Sequence, residues 1–122
     1  MNLLLIEPDK ILGAVYKKHL QRNGIVVQWA RAGQEAIVLA DTNKPDVVIL
    51  ELQLPGHGGV GFLYEFCSYV DWQHIPIVLH TLASIPSKEQ LFGLNIVDCL
   101  YKPTTSLTRL VSVVKDLAPS VV

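Results

Sequence analysis

The stretch Val47-Val48-Ile49-Leu50 has no polar residue at any alternate position, so a strand built from it must be covered on both faces. Similar short apolar runs occur at Leu3 to Ile6, Ile25 to Ala30, Pro76 to His80 and Val97 to Leu100, and segments with helical apolar spacing lie between them. That alternation is the pattern of a parallel sheet with helices on both faces.

Asp9 is placed to cap a first helix with Leu12, Val15 and His19 or Leu20 inward, stopped at Asn23-Gly24. A second helix is predicted over Gln34 to Asp41, with Ala36, Leu39 and Ala40 inward, and Asn43-Lys44-Pro45 breaks it. A third runs from about Val60 to Tyr69 with Phe62, Leu63 and Phe66 inward. Pro86 suits a first helical turn, and Ser87 with Gln90 forms a capping-box pattern, so a short fourth helix is predicted to end at Gly93. Leu107, Leu110, Val111, Val114 and Leu117 mark the last helix. The expectation is one domain over residues 1–122, with five β/α units and no internal repeat.

Charge narrows the function. Ten Lys and Arg against eleven Asp and Glu give a net charge of -1, without a block of like charges. That balance disfavours nucleic-acid and membrane-surface partners. No apolar run reaches the roughly 18 residues of a membrane span, and Leu3 to Ile6 lacks the length and basic flank of a signal peptide. The expected location is the cytoplasm. Cys67 and Cys99 lie in apolar segments without metal-ligand spacing and read as buried reduced thiols.

In an open parallel sheet, chemistry gathers at the carboxyl ends of the strands. There stand Glu7 and Asp9 after the first strand, Glu51 at the end of the third, Thr81 after the fourth and Lys102 after the fifth. Carboxylates, a hydroxyl and a lysine on one edge are the groups that hold a divalent cation and a phosphoryl group. Each has a plainer reading too: Glu7 as a solvated carboxylate, Asp9 as a helix cap, Thr81 as a β-branched strand residue and Lys102 as a snorkelling surface lysine. His57 and His80 read as loop and strand residues rather than ligands.

The order of Leu3-Leu-Leu-Ile-Glu7, Pro45-Asp-Val-Val-Ile-Leu-Glu51-Leu-Gln-Leu-Pro55-Gly56, Pro76-Ile-Val-Leu-His-Thr81 and Leu100-Tyr-Lys102-Pro103 resembles the receiver domain of two-component response regulators. The resemblance covers nearly the whole chain. It implies a flavodoxin-like, doubly wound (βα)5 fold with strand order 2-1-3-4-5, and a signalling module rather than an enzyme. It also implies a cis Lys102-Pro103 bond that aims the ammonium at the site.

In that family an Asp ends the third strand and takes the phosphoryl group. Mg2+ is held by that Asp, by one acid of a pair after the first strand and by a backbone carbonyl two residues beyond the Asp. The corresponding positions here are Glu51, the Glu7-Pro8 pair and Gln53, which makes a degenerate Mg2+ site. Glutamate at the acceptor position moves the carboxylate by roughly an ångström, a displacement that costs about a hundredfold in rate. Pro8 replaces a metal ligand, and Asp9 lies one residue late. Leu82 stands where the family has a very small residue, and is expected to fill phosphoryl space. Cys99 occupies the position of the aromatic switch residue, with Tyr101 nearby.

The expected function is therefore a pseudo-receiver that works without phosphorylation as a protein-interaction module, with weak or absent Mg2+ and no other cofactor. Expected partners are a histidine kinase or another signalling protein. Self-association as a homodimer, or partner binding, is expected through the face of the fourth helix, fifth strand and last helix, where Ile85, Leu91, Phe92 and Tyr101 are the apolar candidates. The alternative is a receiver, natural or engineered with Glu51 as a phosphomimetic, that accepts phosphate from a histidine kinase. A flavodoxin-like cofactor binder is disfavoured, because Glu7-Pro8-Asp9-Lys10 offers no phosphate-cradling loop.

Overall fold

A computed structural model describes residues 1–56 and 58–118, which leaves His57 outside the described residues. The elements are β1 (Asn2–Ile6), α1 (Lys10–Arg22), β2 (Val26–Ala30), α2 (Gly33–Thr42), β3 (Val47–Leu50), α3 (Gly58–Ser68), β4 (Ile77–Thr81), β5 (Ile96–Tyr101) and α4 (Leu107–Asp116). The five strands form one parallel sheet in the order β2-β1-β3-β4-β5, the doubly wound arrangement expected from the alternating pattern.

All four residues of central β3 are buried, as an uninterrupted apolar run requires. Alternate residues feed two cores. On one face Leu4, Ile6, Val48, Leu50 and Leu79 meet Ala36 and Ala40 of α2 and Phe62, Leu63 and Phe66 of α3. On the other, Leu3, Leu5, Ile49 and Val78 meet Tyr16 and Leu20 of α1 and Leu110, Val111 and Val114 of α4. In α1 the inward positions are Gly13, Tyr16 and Leu20, whereas Val15 is exposed, which corrects the phase expected for that helix. Cys67 and Cys99 are free thiols packed against the α2–α3 core, but half-buried rather than fully buried.

The predicted fourth helix does not form. Its capping box does: Ser87 N–H donates to Gln90 Oε1 at 2.9 Å and Gln90 N–H to Ser87 Oγ at 3.3 Å. One helical bond follows, Leu91 N–H to Ser87 O, before the pattern tightens to Phe92 N–H on Glu89 O and Leu94 N–H on Leu91 O. Only six residues separate Pro86 from Gly93, too few to offset the cost of helix nucleation, and Gly93 turns the chain away at φ +82°. Leu91 packs partly buried against the α2–α3 core, so it is not part of the exposed apolar set.

The Lys102-Pro103 bond is trans, against the family-based expectation. Pro103 lies in a short 3-10 turn, Lys102–Thr104, whose first positions accept a trans proline without loss of a needed N–H.

Candidate functional site

Sheet register builds the site. Leu3 to Ile6 pair with Val47 to Leu50, so Glu7 and Glu51 follow as the next residues of adjacent strands, and Glu51 N–H continues the ladder to Ile6 O at 3.0 Å. Thr81 ends β4 beside Tyr101, which delivers Lys102 to the same edge. Glu7, Glu51 and Thr81 are all buried.

Lys102 Nζ lies 2.5 Å from Glu7 Oε1 and 2.8 Å from Glu51 Oε1, its side chain only 6% exposed. The placing of Lys102 thus rests on these contacts and not on a cis bond. Glu51 collects four donors. Oε1 accepts from Lys102 and from Leu82 N–H at 3.1 Å, while Oε2 accepts from the Thr81 hydroxyl and from Gln53 N–H at 3.1 Å. Burial opposes the charge on Glu51, but the bonds from Lys102, Thr81, Gln53 and Leu82 outweigh it and lower its pKa. Burial likewise opposes the Lys102 ammonium, and the bonds to Glu51 and Glu7 overcome it, so that its pKa is raised.

A pocket of about 320 Å³ opens above this centre, lined by Glu7, Pro8, Asp9, Leu12, Glu51, Gln53, Leu82 and Lys102. Leu82 is 49% exposed at its rim, so its side chain borders the space rather than plugging it. Asp9 serves as the helix cap: its Oδ1 accepts from Ile11 N–H at 2.9 Å and Leu12 N–H at 2.8 Å. Its own N–H donates to Glu7 Oε2 at 3.1 Å. Cys99 is not in the pocket; it pairs with Leu79 and faces the α2–α3 core, where burial and then the charge of Asp98 raise its thiol pKa.

The groups that would hold Mg2+ are engaged with one another. An ammonium stands between the two carboxylates, both oxygens of Glu51 and both of Glu7 already accept from this chain, and Pro8 brings no carboxylate. Among the described residues no group of three or more His, Cys, Asp or Glu side chains is arranged to hold a metal.

Five participants escape a reading of side-chain types. The N–H groups of Gln53 and Leu82 act through the backbone, which carries no residue-type signal. His80 is buried beneath the site on the α1–α4 face, edge-on to Tyr16 with ring centroids 5.0 Å apart. Trp29 and Arg31 reach over from the end of β2 to the carbonyls of Glu7 and Pro8. A glycine inside α1 was the available signal for Trp29, since such a residue marks a close approach.

The family model of the response regulator receiver domain matches residues 3–115. The chain is 28% identical over 97 residues to the alkaline phosphatase synthesis transcriptional regulatory protein PhoP of Bacillus subtilis, 78% of this chain and 38% of that protein. It spans less than half the length of the curated relatives it matches. A response regulator of Chloroflexus aurantiacus superposes with a TM-score of 0.83 at 27% identity, covering 95% of each chain. Chemotaxis protein CheY4 of Vibrio cholerae superposes at 0.86 with 21% identity, covering 96% of this chain and 98% of that one, and so shares the fold. No helix among the described residues is long and apolar enough to cross a membrane. The chain belongs to the response regulator receiver domain family of two-component signal transduction.

Proposed function

We propose that this receiver domain signals without being phosphorylated, as a protein-interaction module held in one conformation by Glu51. The observation that carries the reading is the set of four donors on that carboxylate: an ammonium, a hydroxyl and two backbone N–H groups. Such a convergent set is what the oxygens of a phosphoryl group need, and charge-assisted bonds to a carboxylate use the same donors. Glu51 is one methylene longer than the family's Asp, and its carboxylate occupies them itself. With Lys102 between Glu7 and Glu51, the centre works without Mg2+ and catalyses no phosphoryl transfer.

The chain acts as one receiver domain in the cytoplasm, and its partner is a protein: a histidine kinase, another signalling protein or a second copy. The surface offered is the segment between β4 and β5 together with β5 and α4, where Ile85, Phe92, Val97 and Tyr101 are exposed. A pull-down from the source cell tests the reading. The partner should be retained equally with and without a phosphoryl donor, and lost on Glu51→Ala. Retention that depends on the donor would favour the phosphate-accepting alternative instead.

A further inference from the structure

Every carbonyl of the Glu7-Pro8-Asp9 loop is occupied by a donor of this chain. Trp29 Nε1–H donates to Glu7 O at 2.9 Å. Arg31 puts Nε–H and Nη2–H on Pro8 O at 3.1 and 3.0 Å, and Gly13 N–H takes Asp9 O at 2.9 Å as α1 begins. The indole has a seat made for it. A Cβ added at Gly13 would stand 2.0 Å from Trp29 Cζ2, so no larger residue fits beneath the ring. Glycine inside a helix is unfavourable relative to alanine, and here the ring occupies the space that alanine would need.

We propose that Trp29 and Arg31 are positioning residues for the Glu7–Lys102–Glu51 centre. They fix the loop from β2, at the place where the Glu7 carboxylate meets the Lys102 ammonium. Neither touches the ammonium. Both act through the backbone of Glu7 and Pro8, which leaves Glu7 Oε2 to Asp9 N–H and Glu7 Oε1 to Lys102. The inference rests on the reading of this centre as a standing ion-paired site. It adds that the site is held from outside by Trp29 of the edge strand and by Arg31 just beyond its end. Trp29 retains the loop through one N–H and the body of its ring. Arg31 is exposed, and retains it through a fork of two bonds on one carbonyl.

The test is side-chain NMR of the 15N-labelled full chain, reading solvent exchange of the Lys102 ammonium protons and of the Trp29 indole N–H. In the unaltered protein both should exchange slowly. Trp29→Phe keeps an aromatic ring at the end of β2 and removes the N–H donor together with the indole atoms that lie over Gly13. Arg31→Ala alters an exposed side chain, so both variants should fold. Each should speed Lys102 exchange about tenfold, the effect of losing roughly one hydrogen bond's support. Arg31→Lys, which can still donate to Pro8 O, should recover part of the protection. Val114→Ala, a core truncation in α4, should lower global stability and leave Lys102 exchange unchanged. The proposal is overturned if Trp29→Phe and Arg31→Ala both leave Lys102 exchange as in the unaltered chain, or if Val114→Ala speeds it equally. No phosphoryl donor or partner enters this experiment. Phosphorylation of the unaltered chain would therefore defeat the proposed function without deciding the roles of Trp29 and Arg31.

Discussion

Lys102 Nζ and Glu51 Oε1 meet at 2.8 Å across a separation of 51 residues, at the ends of two strands with β4 between them. The pair is buried, and a second carboxylate, Glu7, shares the ammonium. Taking these charges out of water is unfavourable in itself, and the geometry compensates by giving Glu51 four donors and Lys102 two acceptors.

Lys102→Met should therefore destabilise the fold by about 3–5 kcal/mol, because it leaves two buried carboxylates unpaired. Urea unfolding would show a lower midpoint with an unchanged slope. Pairing Lys102→Met with Glu51→Gln should recover part of that loss. The pH limits follow from the shifts. Glu51, with its pKa lowered, contributes in full above the usual carboxylate range and loses that contribution as pH falls through its depressed value. Lys102, with its pKa raised, contributes below the usual lysine value and loses that contribution as pH rises through its elevated one.

His80 sets a second pH dependence. Burial, and then the charge of Lys102, pull its pKa from 6.5 to about 4, with Glu51 opposing them. The unfolded chain takes up this proton near pH 6.5 and the folded chain only near 4, so between those values the unfolded state binds more protons. Stability should fall by about 3 kcal/mol as pH drops through that window. His80→Phe should flatten the slope there by about one proton, read from denaturant melts at a series of pH values.

Phe92 is 87% exposed, with Tyr101 at 46% and Ile85 at 39% nearby in the β4–β5 and β5 region. If that surface carries self-association, sedimentation velocity should show a concentration-dependent dimer in the unaltered chain. A Phe92→Ser and Tyr101→Ser double variant should remain monomeric. Monomer alone at high concentration would remove the homodimer and leave only a different partner.

Glu51→Asp on its own should restore little phosphorylation, since Lys102 keeps Glu7 and the metal still lacks its second acid. Combining Glu51→Asp with Pro8→Asp should bring back Mg2+-dependent phosphorylation, visible by intact mass, and adding Leu82→Ala should change little because that side chain only borders the pocket. Full recovery by Glu51→Asp alone would show that the missing carboxylate at Pro8 is not what limits the site.

The sheet was legible because Val47 to Leu50 and Leu3 to Ile6 report their own burial, and register then carries Glu7 and Glu51 to one edge. The β4–β5 segment was misread because a capping box is a local signal. Whether a helix propagates from it depends on length, and Pro86 and Gly93 leave too little. Lys102 is legible from its place after the fifth strand, and the cis bond that the resemblance implied is not what delivers it: the extended backbone at Tyr101 and the trans proline turn suffice. Gly13 inside α1 is the one trace of Trp29 in the sequence, and that the indole meets both Gly13 and the Glu7 carbonyl follows only from the packing of α1 on β2. The donors from Gln53 and Leu82 belong to the backbone and could be found only from coordinates.

The most direct test of the central claim is intact-mass spectrometry of the unaltered chain after incubation with acetyl phosphate and millimolar Mg2+. If the Glu51 carboxylate holds the donors that a phosphoryl group would need, the mass stays that of the unmodified protein at every time point. A Mg2+-dependent phosphoryl adduct on Glu51, Asp9 or another acid of this edge would contradict it.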